Sequence, residues 1–221
     1  MTPRAYGQFC GLAHALDLLG ERWTLLIVRE LILGPRRYGE LLAALPGIGT
    51  NLLADRLKAL EANGIVQRST LPPPASVAVY ELTESGEELL PLVGGLALWG
   101  LRLLDEQPEG ETARASWMAL CMMAAGRRRG WRGAETTIAV TVDGERLWFC
   151  LAEDGITISE GQPRDADVRL TCDRRTFLAL ATGELTPDDA RLEVEGSRRT
   201  LQRALTVMRL TIGEPAMHLS L

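Results

Sequence analysis

The chain has 221 residues, of which 46% are hydrophobic and 24% are charged, and its formal net charge is −5 at pH 7. This composition is typical of a folded protein with one or two domains, and it excludes a wholly disordered chain. No apolar run reaches the roughly 20 residues of a membrane span. The first residues also lack the apolar core and cleavage site of a secretory signal. We therefore expect a cytoplasmic protein without a membrane partner.

Residues that bind metals or carry out catalysis are scarce and scattered. The chain has four cysteines, none of which forms a CxxC pair: Cys10, Cys121, Cys150 and Cys172. This spacing argues against a zinc site or a disulfide framework and indicates a reducing compartment. The two histidines, His14 and His218, lie at opposite ends of the chain, and GxGxxG, GxxxxGK[ST], GxSxG and HExxH motifs are absent. We expect no enzymatic activity, no metal and no cofactor.

An acidic segment near the middle of the chain reads as a linker. It contains Pro108 and Gly110 and has no apolar periodicity. We assign residues 105–113 to this linker, residues 1–104 to an N-terminal domain and residues 114–221 to a C-terminal domain. The N-terminal domain is the less acidic of the two, which favours it as the partner of a polyanion.

The N-terminal domain is predicted to contain helices, a hairpin and a closing helix. Apolar residues at helical spacing predict four helices, over residues 9–19, 23–33, 38–44 and 50–63. Strands over 65–69 and 77–82 flank a loop at 71–76 that contains three prolines and no Lys or Arg. Thr83 is predicted to cap a helix over 84–104. This order is that of a winged helix-turn-helix.

Spaced motifs run in unbroken order through about residues 8–104. They include LLGERWT at 18–24, GPRRYGEL at 34–41, LADRL at 53–57, LEANGI at 60–65 and YELTESG at 80–86. In this order they closely resemble HxlR-type bacterial transcription regulators, which are relatives of the MarR group. The resemblance implies a homodimer that binds a two-fold operator in double-stranded DNA, with terminal helices forming the dimer interface.

The fourth helix is predicted to enter the major groove of DNA. Its leucines form an inward stripe, and the polar residues left over are candidates for DNA contact: Thr50, Asn51, Arg56 and Lys58. Asn can pair with adenine and Arg with guanine through two hydrogen bonds, so Arg56 is the first candidate for a base or a nearby phosphate. Thr50 is also predicted to cap the helix. The alternative for Arg56 is an ordinary solvated helix residue.

Three further arginines are predicted to lie close to DNA. Arg36 and Arg37 begin the third helix, where side chains and backbone N–H groups can bind phosphate. Arg68 leads into the wing. The wing loop has no Lys or Arg, unlike the basic wings that enter the minor groove, so its contact with DNA stays open.

Cys10 has two interpretations. In some members of the resembled family, a cysteine at this motif position senses electrophiles or oxidants. The alternative is a small buried residue that packs the first helix. Sensing requires a thiol pKa lowered by positive charge or by a helix N-terminus.

The C-terminal domain is predicted to combine helices with a mixed sheet. A helix over 114–125 is followed by a basic loop at 126–133, which could bind phosphate or be a solvated turn. The strands are predicted over 137–142, 146–151, 156–158, 166–171 and 192–196. Helices capped by Asp173 and Ser197 complete the domain. The expected fold class is therefore α+β, a winged helix followed by an α/β sandwich.

Motifs in this half resemble a sterol-carrier-protein-type domain. They are ADVRLT at 166–171, FLALATGELTP at 177–187 and ARLEVEG at 190–196. The resemblance covers about residues 114–210 and implies an apolar cavity for lipids or acyl groups. Large apolar side chains are the candidates for its lining: Trp117, Met122, Trp148, Phe149 and Phe177. The alternative for each of them is plain core packing.

We therefore expect a DNA-binding transcription regulator. It would be a homodimeric repressor, and its C-terminal domain would respond to a small apolar ligand. One alternative is a lipid or acyl carrier whose winged helix serves only for dimerisation. Another is a DNA-binding protein whose second domain is a ligand-free scaffold.

Overall fold

The computed structural model describes residues 5–104, 112–189 and 192–211. The chain divides into two compact units between Val93 and Gly94. Residues 105–111, most of the predicted linker, lie outside the described residues. The domain limits at residues 104 and 114 therefore stay a prediction.

The first unit is a winged helix. Its elements, with the helix that crosses the unit boundary, are α1 (Gly11–Leu19), α2 (Thr24–Ile32), α3 (Tyr38–Ala44), α4 (Thr50–Ala62), β1 (Val66–Thr70), β2 (Ala78–Leu82), α5 (Glu84–Glu87) and α6 (Leu90–Leu101). Strands β1 and β2 are antiparallel. Arg36 adds a short third pairing, because its N–H donates to the Tyr80 carbonyl at 2.9 Å and its carbonyl accepts from the Tyr80 N–H at 2.7 Å.

The core of this unit explains how α4 is oriented. Leu53, Leu57 and Leu60 recur at helical spacing, are at most 1% exposed and face inward. They belong to a cluster with apolar residues of the other elements, including Ile27, Val28, Leu31, Leu41, Leu45 and Val66. Burial of this stripe leaves the opposite, polar side of α4 in solvent.

Two predictions about helix ends in this unit are wrong. Gly49, not Thr50, is the capping residue of α4, and Thr50 is the first helical residue. The segment 84–104 is not one helix, because α5 ends at Glu87 and α6 begins at Leu90. Pro91 explains the break, since proline has no N–H to donate to the Glu87 carbonyl and its ring clashes with that group.

The predicted cap of α5 is confirmed. The Thr83 hydroxyl accepts a hydrogen bond from the N–H of Gly86 at 3.1 Å. The same hydroxyl donates to the Gly64 carbonyl at 2.5 Å, which ties the helix start to the end of α4.

The second unit is a mixed sheet covered on one face by helices. Its elements are α7 (Ala115–Arg129), β3 (Thr136–Val142), β4 (Glu145–Ala152), β5 (Gly155–Glu160), β6 (Val168–Cys172), α8 (Arg174–Thr182), β7 (Glu193–Gly196) and α9 (Arg198–Val207). The strand order is β5-β4-β3-β6-β7. Only the β3–β6 pair is parallel among these described strands. The α+β class and the mixed sheet are confirmed.

Helix α7 is longer than predicted, and the basic loop proposed after it is wrong. Arg127 and Arg129 lie in its last turn. The Arg127 guanidinium donates to the Ile156 carbonyl at 3.2 Å, and that of Arg129 donates to the Val207 carbonyl at 2.9 Å. These arginines therefore bind carbonyl groups of the fold.

Candidate nucleic-acid interface and ligand-binding residues

The exposed face of α4 carries three of the four DNA contacts that are predicted on this helix. Thr50, Asn51 and Lys58 are exposed, whereas the leucine stripe is buried. The Tyr38 hydroxyl donates to the Thr50 carbonyl at 2.6 Å, which joins the ends of α3 and α4. Asn51 and Lys58 are two turns apart and share a face of the helix. This face has the length and the polar chemistry of a helix that reads the major groove.

Arg56 lies on a different side of the same helix. Five residues of α-helix place it about 140° around the axis from Asn51. Its guanidinium binds the Glu21 carboxylate at 2.8 Å and the Arg22 carbonyl at 3.3 Å, and its side chain is 22% exposed. Arg56 is thus paired at the surface of the winged helix, and both a contact with a base and the alternative of an ordinary surface arginine stay predictions. Sequence reasoning missed Glu21, because no local pattern relates the turn after α1 to α4.

The remaining predicted arginines lie in and around the wing. Arg36 is half-buried and pairs with Tyr80 through its backbone. Arg37 is exposed and precedes α3, where its N–H donates to the Glu40 carboxylate at 2.7 Å. Arg68 is 64% exposed, and its guanidinium lies 3.0 Å from the Glu61 carboxylate.

Cys10 is exposed and occupies the capping position of α1. The nearby backbone N–H groups of Ala13 and Leu12, in the first turn of α1, lower the pKa of its thiol. The alternative of a buried packing residue is therefore wrong. Cys172 is the opposite case, because burial and the nearby carboxylates of Asp173 and Asp143 raise its pKa to about 12.

Large apolar side chains are exposed along two helices. On α6 and just beyond it they recur at spacings of three or four residues: Leu92, Leu96, Trp99 and Leu103, each at least 52% exposed. At α1 the exposed set is Tyr6, Phe9, Leu12, Leu16 and Leu18. The spacing on α6 is that of a seam between paired helices. Apolar stripes of this kind usually mark protein interaction surfaces.

The predicted ligand-binding residues occupy two kinds of position. Met122, Phe149 and Phe177 are 1% exposed, whereas Trp117 and Trp148 are half-buried. A groove of about 960 Å³ lies between α8 and the segment that follows it, and its lining includes Ala179, Leu185 and Leu192. None of the five predicted residues lines this groove. Their role in ligand binding stays a prediction.

Residues 5–104, 112–189 and 192–211 contain no group of three or more His, Cys, Asp or Glu that could hold a metal ion. Within the same ranges, no helix combines the length and apolarity that crossing a bilayer requires.

Comparison with known proteins identifies both halves of the chain. Residues 18–108 match the HxlR-like helix-turn-helix family, and residues 123–209 match the SCP-2 sterol transfer family. The HTH-type transcriptional regulator sll1512 of Synechocystis is 39% identical over 101 residues, which are 46% of this chain and 75% of that protein. YodB of Bacillus subtilis, also an HTH-type transcriptional regulator, is 41% identical over 85 residues, which are 38% of this chain and 76% of YodB.

A solved structure of YodB in its reduced form is also similar. It shares 35% identity, covers 46% of this chain and 100% of its own, and gives a TM-score of 0.39. The sequence relatives and the two family matches agree with the order of the motifs along the chain. The chain belongs to the HxlR-like helix-turn-helix family of DNA-binding transcription regulators and carries an SCP-2-type domain after the winged helix.

Proposed function

We propose that the protein is a homodimeric operator-binding regulator whose SCP-2-type domain responds to a small apolar ligand. The dimer proposal is supported by the exposed apolar stripe of α6, where Leu92, Leu96 and Trp99 have the three- and four-residue spacing of paired helices. An isologous dimer presents two copies of α4, as a two-fold operator requires. The exposed apolar residues at α1 form a second patch, which we also assign to dimer contacts.

The proposed DNA surface is the exposed side of α4 with the basic residues around it. Asn51 is suited to a base edge and Lys58 to phosphate. Thr50 lies at the amino end of α4, where base edges are usually reached. Arg37 and Arg68 are exposed cations on neighbouring elements, and we assign them to phosphates, with Arg36 beside them.

The ligand proposal is supported by the SCP-2 match and by the large apolar side chains inside the second unit. Met122, Phe149 and Phe177 would border an apolar molecule that enters between sheet and helices, with Trp117 at its margin. Trp148 lies on the opposite face of the sheet and would contact a ligand only on that face. Such a ligand regulates only if it binds one dimer geometry better than another. Release of the operator on binding would make the protein a repressor. We assign it no enzymatic role, as its relatives are transcription regulators.

Operator selection from random DNA tests the DNA proposal. Full-length protein is titrated by fluorescence anisotropy against the selected duplex and a scrambled duplex across a salt series. We expect the protein to bind the selected duplex at least about 10³-fold more tightly than the scrambled duplex. Asn51→Ala should relax the base preference at one position of the operator. Lys58→Ala should weaken binding to all duplexes and reduce the slope of log K against log salt concentration by about one. Equal binding to both duplexes would contradict sequence-specific regulation.

The carrier alternative is favoured by the SCP-2 match and by the wing loop without basic residues. Native mass spectrometry of the purified protein separates the cases. A copurified lipid with no preference for operator DNA supports the carrier. A lipid whose removal changes operator affinity supports the regulator. Operator binding without any lipid, and without a response to added fatty acid, supports the ligand-free scaffold.

A further inference from the structure

The pairing of Arg56 with Glu21 joins α4 to the turn that ends α1. Glu21 follows α1 by two residues, and its carboxylate lies 2.8 Å from Nη2 of Arg56. Nε of the same guanidinium donates to the Arg22 carbonyl at 3.3 Å. One planar guanidinium thus binds two successive residues of the turn, and this geometry fixes both the distance and the orientation between the two elements.

The turn itself is held firmly against the rest of the winged helix. Trp23 has a left-handed backbone conformation, with φ of 80°, and its side chain packs against the core of the unit. Its indole also approaches Gly47, where a Cβ atom would lie 3.7 Å from the ring. The Glu21 carbonyl accepts from the N–H of Thr24 at 3.1 Å. Arg56 therefore binds a turn that Trp23 anchors to the core of the unit.

The arrangement separates two roles within α4. Asn51 and Lys58 point to solvent, while Arg56 holds the helix from the side. We propose that Arg56 is a positioning residue, which with Glu21 and the Arg22 carbonyl sets the angle at which α4 meets the operator and does not itself read a base. This inference rests on the proposed operator contacts of α4. Under this inference Glu21 strengthens binding to DNA, although Glu21 and DNA are both negatively charged.

A double-mutant cycle tests this inference with the full-length protein and its selected operator. The wild type, Glu21→Gln, Arg56→Gln and the double variant are compared by anisotropy. We expect each single variant to raise Kd about 5- to 10-fold, and the double variant to raise it no further than Arg56→Gln alone, because both changes remove one interaction. Additive losses would overturn the inference.

The sign of the Glu21→Gln effect is the sharpest readout. Removal of a negative charge near DNA strengthens binding, or leaves it unchanged, if the charge acts only through the general field. Weaker binding therefore identifies positioning, and unchanged or tighter binding overturns it. Glu61→Gln is the matched control, because it removes the same charge from α4 where Glu61 pairs with Arg68 at 3.0 Å. We expect this control to bind the operator as well as the wild type or more tightly.

Base preference and folding are measured on the same variants. If Arg56→Gln relaxed preference at one base pair while Glu21→Gln preserved it, Arg56 would be a base contact and the inference would fail. Arg56→Lys keeps a cation within reach of phosphate but lacks the planar fork, so we expect it to weaken binding as Arg56→Gln does. Wild-type affinity in Arg56→Lys would assign the residue to phosphate.

Urea unfolding of each variant separates altered positioning from loss of fold. A wild type without operator preference would instead contradict the proposed function.

Discussion

Gly86 lies directly against the carbonyl oxygen of Ile65. A Cβ atom at position 86 would be 2.1 Å from that oxygen and 3.2 Å from Cβ of Leu82. The contact brings the first turn of α5 onto the chain between α4 and β1. A side chain at this position can be accommodated only if the helix moves away from the wing.

Stability of the winged helix should therefore depend on this glycine. We expect Gly86→Ala to lower the free energy of unfolding by about 1–3 kcal/mol, the usual cost of overpacking. Gly39→Ala is the control, because nothing lies within 4 Å of a Cβ at that helical position. It should stabilise the protein by about 0.4–1 kcal/mol, since alanine restricts the unfolded chain. Urea denaturation followed by circular dichroism measures both changes. If Gly86→Ala were as stable as the wild type, the close contact between Gly86 and Ile65 would not be maintained in solution.

Dimerisation should depend on the apolar stripe of α6. Leu96→Glu places a charge in the middle of the proposed seam, where burial without a partner is costly. We expect sedimentation equilibrium to show a dimer for the wild type and a monomer for this variant at micromolar concentration. Thr157→Glu adds the same charge at an exposed position on β5 and should leave the dimer intact. A dimeric Leu96→Glu protein would place the interface elsewhere.

Thiol reactivity should differ sharply among the cysteines. Because the pKa of the exposed Cys10 is lowered, a larger fraction of this residue is thiolate at a given pH than for a cysteine of ordinary pKa. Burial and a pKa of about 12 keep Cys172 protonated. We expect iodoacetamide at pH 7.5 to label Cys10 well before Cys172, as read by peptide mass spectrometry. Modification of Cys10 that left operator binding unchanged, with Cys10→Ser as the unreactive control, would exclude a sensing role.

Acid should selectively remove the contribution of Asp173. Its carboxylate accepts from the N–H of Thr176 at 2.7 Å at the start of α8, and this hydrogen bond lowers its pKa. A depressed pKa in the folded state contributes stability above the unfolded-state value of about 3.9, and this is lost as pH falls through the folded-state pKa. We expect the Tm difference between wild type and Asp173→Ala to be constant from pH 6 to 7 and to shrink below about pH 4. A difference that is independent of pH would rule out the ionised cap.

The two faces of β4 should respond differently to truncation. Phe149 is 1% exposed and faces the helices, whereas Trp148 on the opposite face is half-buried. We expect Phe149→Ala to cost about 3–5 kcal/mol through lost burial and a cavity. Trp148→Ala should cost less than half as much in the same chemical denaturation experiment. The reverse order would mean that the open face of the sheet is covered in solution.

Much of the architecture follows from local patterns. The leucine spacing at 53, 57 and 60 predicts both the helix and its buried side. Both faces of β4 are apolar in the sequence, so which of them is buried was decided by the tertiary structure. The break before Pro91 was not predicted, although a proline inside a helical pattern is a local signal for a kink or a break. The cap of α4 was misjudged, because Gly49 and Thr50 are both acceptable at such a position.

The contacts of the arginines show where local patterns end. Arg56 and its partner Glu21 are 35 residues apart, and the carbonyl that Arg129 binds at Val207 is 78 residues away. A charged side chain looks the same in a sequence whether it meets DNA, solvent or a carbonyl of its own fold.

The sequence by itself determined the winged helix, the mixed sheet and the family, because helical and strand periodicity and spaced motifs are properties of neighbouring residues. Only the tertiary structure decided which cations are paired within the fold, because that depends on how separate helices and turns pack. The polar side of α4 could thus be predicted. The pairing of Arg56 with Glu21 could not be predicted.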